Sequence, residues 1–193
     1  MMSKSNSTNN NLLLDRVQGL YQAHAEVPYI SPERDLAAWL EDLNLGKSRP
    51  VAKRQMIRTP EGLLPGHIIL LWRVSLGTYT LDTWISKYFE YDYGINGQDI
   101  DKLVQAGYVR IQSATESLDL VTSPQLKAWL KAKGVKGYSK LNKSDLIQAV
   151  LAHYPEGDLA DLYDQRRYVL TPKGQAALEA NREIVDRHPK KAL

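Results

Sequence analysis

Strand-forming sequence is scarce in this chain, and that scarcity constrains the fold more than any other feature. "YVRI" at Tyr108–Ile111 alternates like a strand. So short a strand needs a partner, because even a complete two-stranded hairpin is marginal alone. The segment that can supply one lies far downstream, in "RRYVLTPKGQAAL" at Arg166–Leu178. It reads as a strand followed by a helix capped by Thr171, with Pro172 at the first helical position. The chain must therefore leave the sheet after Ile111 and come back. An opened hairpin carrying a separate unit at its tip satisfies this, since insertions there disturb few buried contacts.

The rest reads as helix, and the expected fold class is mainly α with a small β wing. Residues 1–11 are polar and are expected to be disordered. A helical extension and basic linker are expected over 12–59. Its first helix runs from Leu12 to about Glu26. A second is capped by Ser31 with Pro32 behind it, and carries the stripe Leu36, Trp39, Leu40 and Leu43. "GKSRPVAKRQMIRTP" then brings Lys47, Arg49, Lys53, Arg54 and Arg58 with no acid among them. It reads as a solvated connector or as a basic arm lying along phosphate. Pro65–Leu76 is apolar almost all round and is expected to be a buried helix. Thr80 can cap a helix with Leu81, Trp84, Ile85, Tyr88 and Phe89 inward. Asn96 can cap a third, with Ile100, Leu103 and Val104 inward and Gly107 as the stop.

Three short helices followed by a strand is the winged-helix order. "QAGYVRI" and "DQRRYVLTPKG" resemble the third-helix end and second wing strand of bacterial winged-helix regulators of the multiple-antibiotic-resistance type. The resemblance implies a core over 60–116 plus 164–188, with the insertion at 117–163. In such proteins the third helix often enters the major groove. Here it offers Gln98, Asp101, Lys102 and Gln105, a nearly neutral face that attracts phosphate poorly. Arg110, Arg166 and Arg167, on or near the wing strands, are better phosphate candidates, unless Asp161 and Asp164 pair with them.

The insertion contains "LKAWLKAKGVKGYSKLNKSDLIQAVL". Its first helix is capped by Ser123 with Pro124 behind it, and is striped by Leu126, Trp129 and Leu130. Asn142 caps the second, and Leu141 can staple onto Leu146. This stretch resembles the SAP domain, and more closely the helix-extended-helix segment at the N-terminus of the Rho termination factor. Leu126, Leu130, Gly134–Val135 and the run from Tyr138 carry the likeness. The usual Gly-Lys before the second SAP helix is replaced here by Leu141 and Asn142. The resemblance implies a small module that binds nucleic acid. Independently of it, Lys127, Lys131, Lys133, Lys136, Lys140 and Lys143 face a single acid, Asp145, between Ser123 and Tyr154. The amides at Lys143 and Ser144 can receive a phosphate oxygen, and Tyr138 can stack on a base or simply pack.

Chemistry is conspicuous by its lack of residues. With no cysteine, disulfides and thiolate catalysis are excluded, as a reducing cytoplasm would suit. His24, His67, His153 and His188 are scattered, and there is no phosphate-cradling, zinc-binding or nucleophile-elbow motif. The run at His67–Leu76 is broken by Arg73 and cannot span a bilayer. No catalytic residue, metal or cofactor is expected. The expected partner is DNA, duplex first, with RNA or a single strand as the alternative. The net charge of +3 is too mild to decide this alone. The competing reading is a protein-interaction adaptor, docking a partner or a second copy through the N-terminal helices.

Overall fold

The strand Val109–Ile111 (β1) pairs antiparallel with Tyr168–Leu170 (β2) in a computed structural model that describes residues 3–189. Val109 faces Leu170, Arg110 faces Val169 and Ile111 faces Tyr168. A third edge joins through an isolated bridge between Thr80 and Arg167. Tyr168 N–H donates to Tyr79 O at 2.9 Å, and Leu81 N–H to Arg166 O at 2.9 Å. The chain between the strands leaves the sheet and returns, as the scarcity of strand sequence requires.

The described residues hold ten α-helices around this sheet. In chain order they are α1 (Ser3–Leu20), α2 (Leu36–Asn44), α3 (Pro65–Ser75), α4 (Tyr88–Tyr91), α5 (Ile100–Gln105), α6 (Ser123–Ala132), α7 (Lys143–His153), α8 (Glu156–Leu162), α9 (Pro172–Ala180) and α10 (Arg182–Asp186). Their apolar side chains form two separate cores. The first centres on α3, whose Ile68, Ile69, Leu70 and Leu71 are all fully buried, so this helix is wrapped on every side. The second belongs to the insertion and is built on Leu118, Leu126, Leu130, Leu146, Val150 and Leu159. Each fully buried leucine there contributes about 2 kcal/mol, which is what allows so small a unit to close on itself.

The N-terminal segment is part of the first core. Val17, Tyr21, Trp39 and Leu40 are buried in it, and so are Val51 and Met56 of the basic segment. Val51 is fixed further by its N–H donating to Tyr21 Oη at 3.2 Å and its carbonyl lying 2.7 Å from His24 Nε2. The segment is thus a strap pinned over the core, with its cations outward. That corrects the expectation of a linker. The stripe on α2 is also turned inward: Trp39 and Leu40 are buried, and Leu36 and Leu43 pack against the same core.

Four local expectations are corrected. Helix α1 starts at Ser3, inside the stretch expected to be disordered, because extending an existing helix costs little once its nucleus exists. Met1 and Met2 lie outside the described residues. The cap of α2 is Asp35, which accepts from Ala38 N–H, and not Ser31, whose N–H is drawn to the Glu90 carboxylate. Residues 81–86 are not helical. Thr80 is committed to the bridge with Arg167, and its N–H donates to Thr83 Oγ1 at 2.7 Å, a side-chain bond that competes with helix formation. Leu81 and Trp84 are consequently exposed, Trp84 by 75%. The N-cap of α6 is Thr122, one residue before the expected Ser123.

Helix α9 lies close enough to β1 to require a glycine. Thr171 Oγ1 accepts from Gly174 N–H and donates to Gly107 O at 2.6 Å. A Cβ on Gly174 would stand 1.9 Å from the Tyr108 carbonyl oxygen. Gly174→Ala is therefore expected to lower the unfolding free energy by about 3 kcal/mol. Gly157→Ala in α8, where a Cβ meets nothing within 4 Å, is expected to be neutral or mildly stabilising. Urea unfolding of the two variants beside the parent checks the contrast.

Candidate nucleic-acid interface

The inserted unit presents its second helix by a well-made entrance. Asn142 Oδ1 accepts from Asp145 N–H at 3.0 Å, and Asn142 Nδ2 donates back to Asp145 Oδ2 at 2.8 Å. Leu141 packs against the second core, as the staple requires. Among the described residues nothing accepts from the amides of Lys143 and Ser144, the first two of α7. These are the free donors that a helix start leaves over.

The lysines divide by what they touch. Lys127 Nζ donates to Ser139 O at 2.8 Å, tying α6 to the link between the helices. Lys143 Nζ donates to Asp119 O at 2.6 Å. Both bonds go to neutral carbonyls and leave the ammonium charge uncompensated. Lys133 lies 3.4 Å from the Asp158 carboxylate and 4.6 Å from the Tyr154 ring centre, so it is spent internally. Lys131, Lys136 and Lys140 are exposed with no side-chain partner among the described residues. Tyr138 is half-buried against the second core, which satisfies the packing alternative for its ring.

The three arginines behave differently. Arg110 makes a two-pronged contact with Glu116, Nη1 and Nη2 each at 2.8 Å from a carboxylate oxygen. Arg167 Nη2 lies 2.7 Å from Asp119 Oδ2, with its side chain 20% exposed. Arg166 lies over the Tyr163 ring at 4.6 Å. The acids that hold Arg110 and Arg167 are therefore Glu116 and Asp119, on either side of the boundary expected for the insertion, not Asp161 and Asp164. Any phosphate would have to displace them. Glu156 adds a third fastening by accepting from Ala114 N–H at 2.7 Å and Thr115 N–H at 2.8 Å. Tyr163 hydroxyl also donates to Ala114 O.

Glu116 carries a signal that the sequence did contain. Ser113 and Glu116 form a reciprocal box: Ser113 N–H donates to Glu116 Oε2 at 2.9 Å, and Glu116 N–H to Ser113 Oγ at 3.2 Å. The Ser-x-x-Glu spacing announces this arrangement. Its register against Arg110 depends on the fold.

The third helix, α5, offers little to a polyanion. Asp99 is turned inward, with Oδ2 3.0 Å from His67 Nε2 and Oδ1 2.7 Å from Lys102 Nζ. Leu64 N–H donates to His67 Nδ1 at 3.2 Å, which places the imidazole proton on Nε2, toward Asp99. Lys102 is thus compensated, and Gln98, Asp101 and Gln105 remain outward. No group of three metal-ligating side chains occurs among the described residues, and no helix there is long and apolar enough to cross a membrane. No family model matches the chain, and neither does any curated protein or solved structure.

The fastening between wing and insertion has a pH signature. The Glu116 carboxyl is held down to about 2, first by its hydrogen bonds from Arg110 and then by the Ser113 amide. A depressed value means that the contact's contribution is complete above the ordinary 4.5 and is lost as pH falls through about 2. The Glu116 carboxyl resonance is expected to titrate with a midpoint near 2. Arg110→Gln should move that midpoint toward 4.5. A parent midpoint at the ordinary value would mean that the clamp is open in solution.

Proposed function

We propose that this chain is a non-enzymatic DNA-binding protein of winged-helix-like fold, whose inserted SAP- or Rho-N-like unit supplies most of the contact, through phosphate. The order α3, bridge at Thr80, α4, α5, β1, β2 supports the winged-helix part of the reading. The observation that carries the function is the distribution of uncompensated charge. The insertion holds six lysines against one acid between Ser123 and Tyr154, and only Lys133 is spent on a carboxylate. On the wing, Arg110 and Arg167 are already neutralised, and on α5 Lys102 is.

Lys140 and Lys143 flank the entrance of α7, where the free amides of Lys143 and Ser144 add donors to the same face. Such contacts fix position and affinity but carry no sequence information. Duplex DNA is the favoured ligand, and the chain is read as acting in the cytoplasm. The adaptor reading loses its docking stripe, because Trp39 and Leu40 are buried within the chain.

A salt titration tests the proposal. Duplex binding is expected to fall steeply with salt. Changing Lys131, Lys136, Lys140 and Lys143 to Gln should reduce the log–log slope by about 3 to 4. An unchanged slope, or no duplex binding at low salt, would defeat the reading. Parallel titrations with single-stranded DNA and RNA rank the alternatives.

A further inference from the structure

A second concavity borders the first core and shares no lining residue with those proposed to touch duplex DNA. It is a cleft of about 600 Å³ between α3, the end of α4, α10 and the residues His188 and Pro189 that follow it. That volume is within the range of small-molecule sites, roughly 300–1,000 Å³. Its walls are four rings: Trp72, Tyr88, Tyr93 and His188. His188 sits at the centre of the group, 5.3 Å from Trp72, 5.3 Å from Tyr88 and 5.7 Å from Tyr93, centroid to centroid. The interplanar angles of 59°, 50° and 35° show that these rings are tilted and not stacked face to face. Trp72 and Tyr88 are only half-buried, so both offer surface to a guest in the cleft.

The polar groups are as specific as the rings. Tyr93 Oη lies 2.6 Å from His188 Nδ1. Burial pushes the Tyr93 hydroxyl up to about 12, so it keeps its proton and donates it. Burial and the neighbouring Arg73 depress His188, which stays neutral with its own proton on Nε2. The imidazole therefore adds a neutral ring and not a charge. Arg73 and Arg182 line the cleft, whereas Arg54 and Arg187 belong to a separate and much smaller cavity that also touches Tyr93. Two aspartates, Asp92 and Asp186, share these walls with Arg73 and Arg182, and Asp186 lies 3.8 Å from Arg182. Arg73 has no carboxylate partner among the described residues, so its guanidinium is the group on these walls that an anion can meet.

We propose that this cleft binds one nucleotide unit, its base stacked on Trp72 or Tyr88 and its phosphate held by Arg73. Aromatic faces accept any base, and a guanidinium matches phosphate with paired donors. A free mononucleotide and an unpaired end of a strand share this chemistry. The site does not depend on the inserted unit, so its fate is separable from that of the duplex interface.

Calorimetric titration of the full chain with adenosine 5′-monophosphate, adenosine, inorganic phosphate and a six-residue deoxyadenosine oligonucleotide tests the assignment. The monophosphate is expected to bind at one site, about tenfold more tightly than adenosine, with phosphate alone giving no saturable signal. Arg73→Gln, which leaves the ring cluster in place, should bring the monophosphate down to the adenosine level without changing adenosine itself. Trp72→Leu, checked for an intact unfolding transition, should weaken both. Equal affinity for monophosphate and oligonucleotide supports a free nucleotide, and tighter oligonucleotide binding supports a strand end. The lysine-to-Gln insertion variant should bind the monophosphate as the parent does. Failure of both ligands to saturate, or loss of monophosphate binding in that insertion variant, would overturn the proposal. So would monophosphate binding that Arg73→Gln leaves unaltered.

Discussion

Three residue pairs between β1 and β2 hold the architecture together. They close the first core on one side and bring the two ends of the insertion side by side on the other. So short a ladder could not persist alone. It persists because α9 is pressed onto Tyr108 at Gly174, because Tyr79 and Leu81, on either side of Thr80, bond to Tyr168 and Arg166 on the outer edge, and because Val109 and Tyr168 are buried in the core around α3. Loop closure is also less costly than the chain length suggests, since its entropy grows only with the logarithm of the number of residues. The intervening chain recovers that cost by building a core of its own.

The two cores divide the chain's charge. At the junction, arginines of the wing strands meet carboxylates on either side of the boundary expected for the insertion, and the pairs serve as fasteners. Surface ion pairs are individually weak. The two-pronged geometry at Arg110, the burial of Arg167 and the backbone bonds to Glu116 and Glu156 are what make these contacts orienting. Beyond the junction, the lysines of α6, α7 and the link between them find few acids. Lysines without a carboxylate partner among the described residues thus lie on the inserted unit, while Arg110, Arg167 and Lys102 of the wing and α5 are paired.

Much of this plan was legible in the sequence because it rests on local chemistry. The paired strands, the buried helix α3, the cap at Thr171 and the box at Asn142 follow from alternation, apolar runs and N-cap residues, and each occupies the expected place. The errors lie where distant contacts overrule local preference. The residues after Thr80 have a helical pattern, but Thr80 is recruited by Arg167 from the far end of the chain. Ser31 is a good cap by type, but Glu90 takes its amide. The basic strap resembles a linker until Val51 and Met56 are found under it. For the interface, the lysines could be nominated from composition. That Arg110 and Arg167 were already engaged could not, because Glu116 and Asp119 meet them only once the hairpin has closed.

Division of the chain at the junction tests the central claim most directly. One fragment would carry residues 113–164 alone, and the other would carry the first core with that segment replaced by a short turn. Both are expected to fold, since each keeps a complete apolar core. Affinity for duplex DNA at low salt should remain with the 113–164 fragment and disappear from the shortened chain. Retention of full affinity by the shortened chain, with a folded but inert 113–164 fragment, would contradict the account and return the interface to the wing and α5.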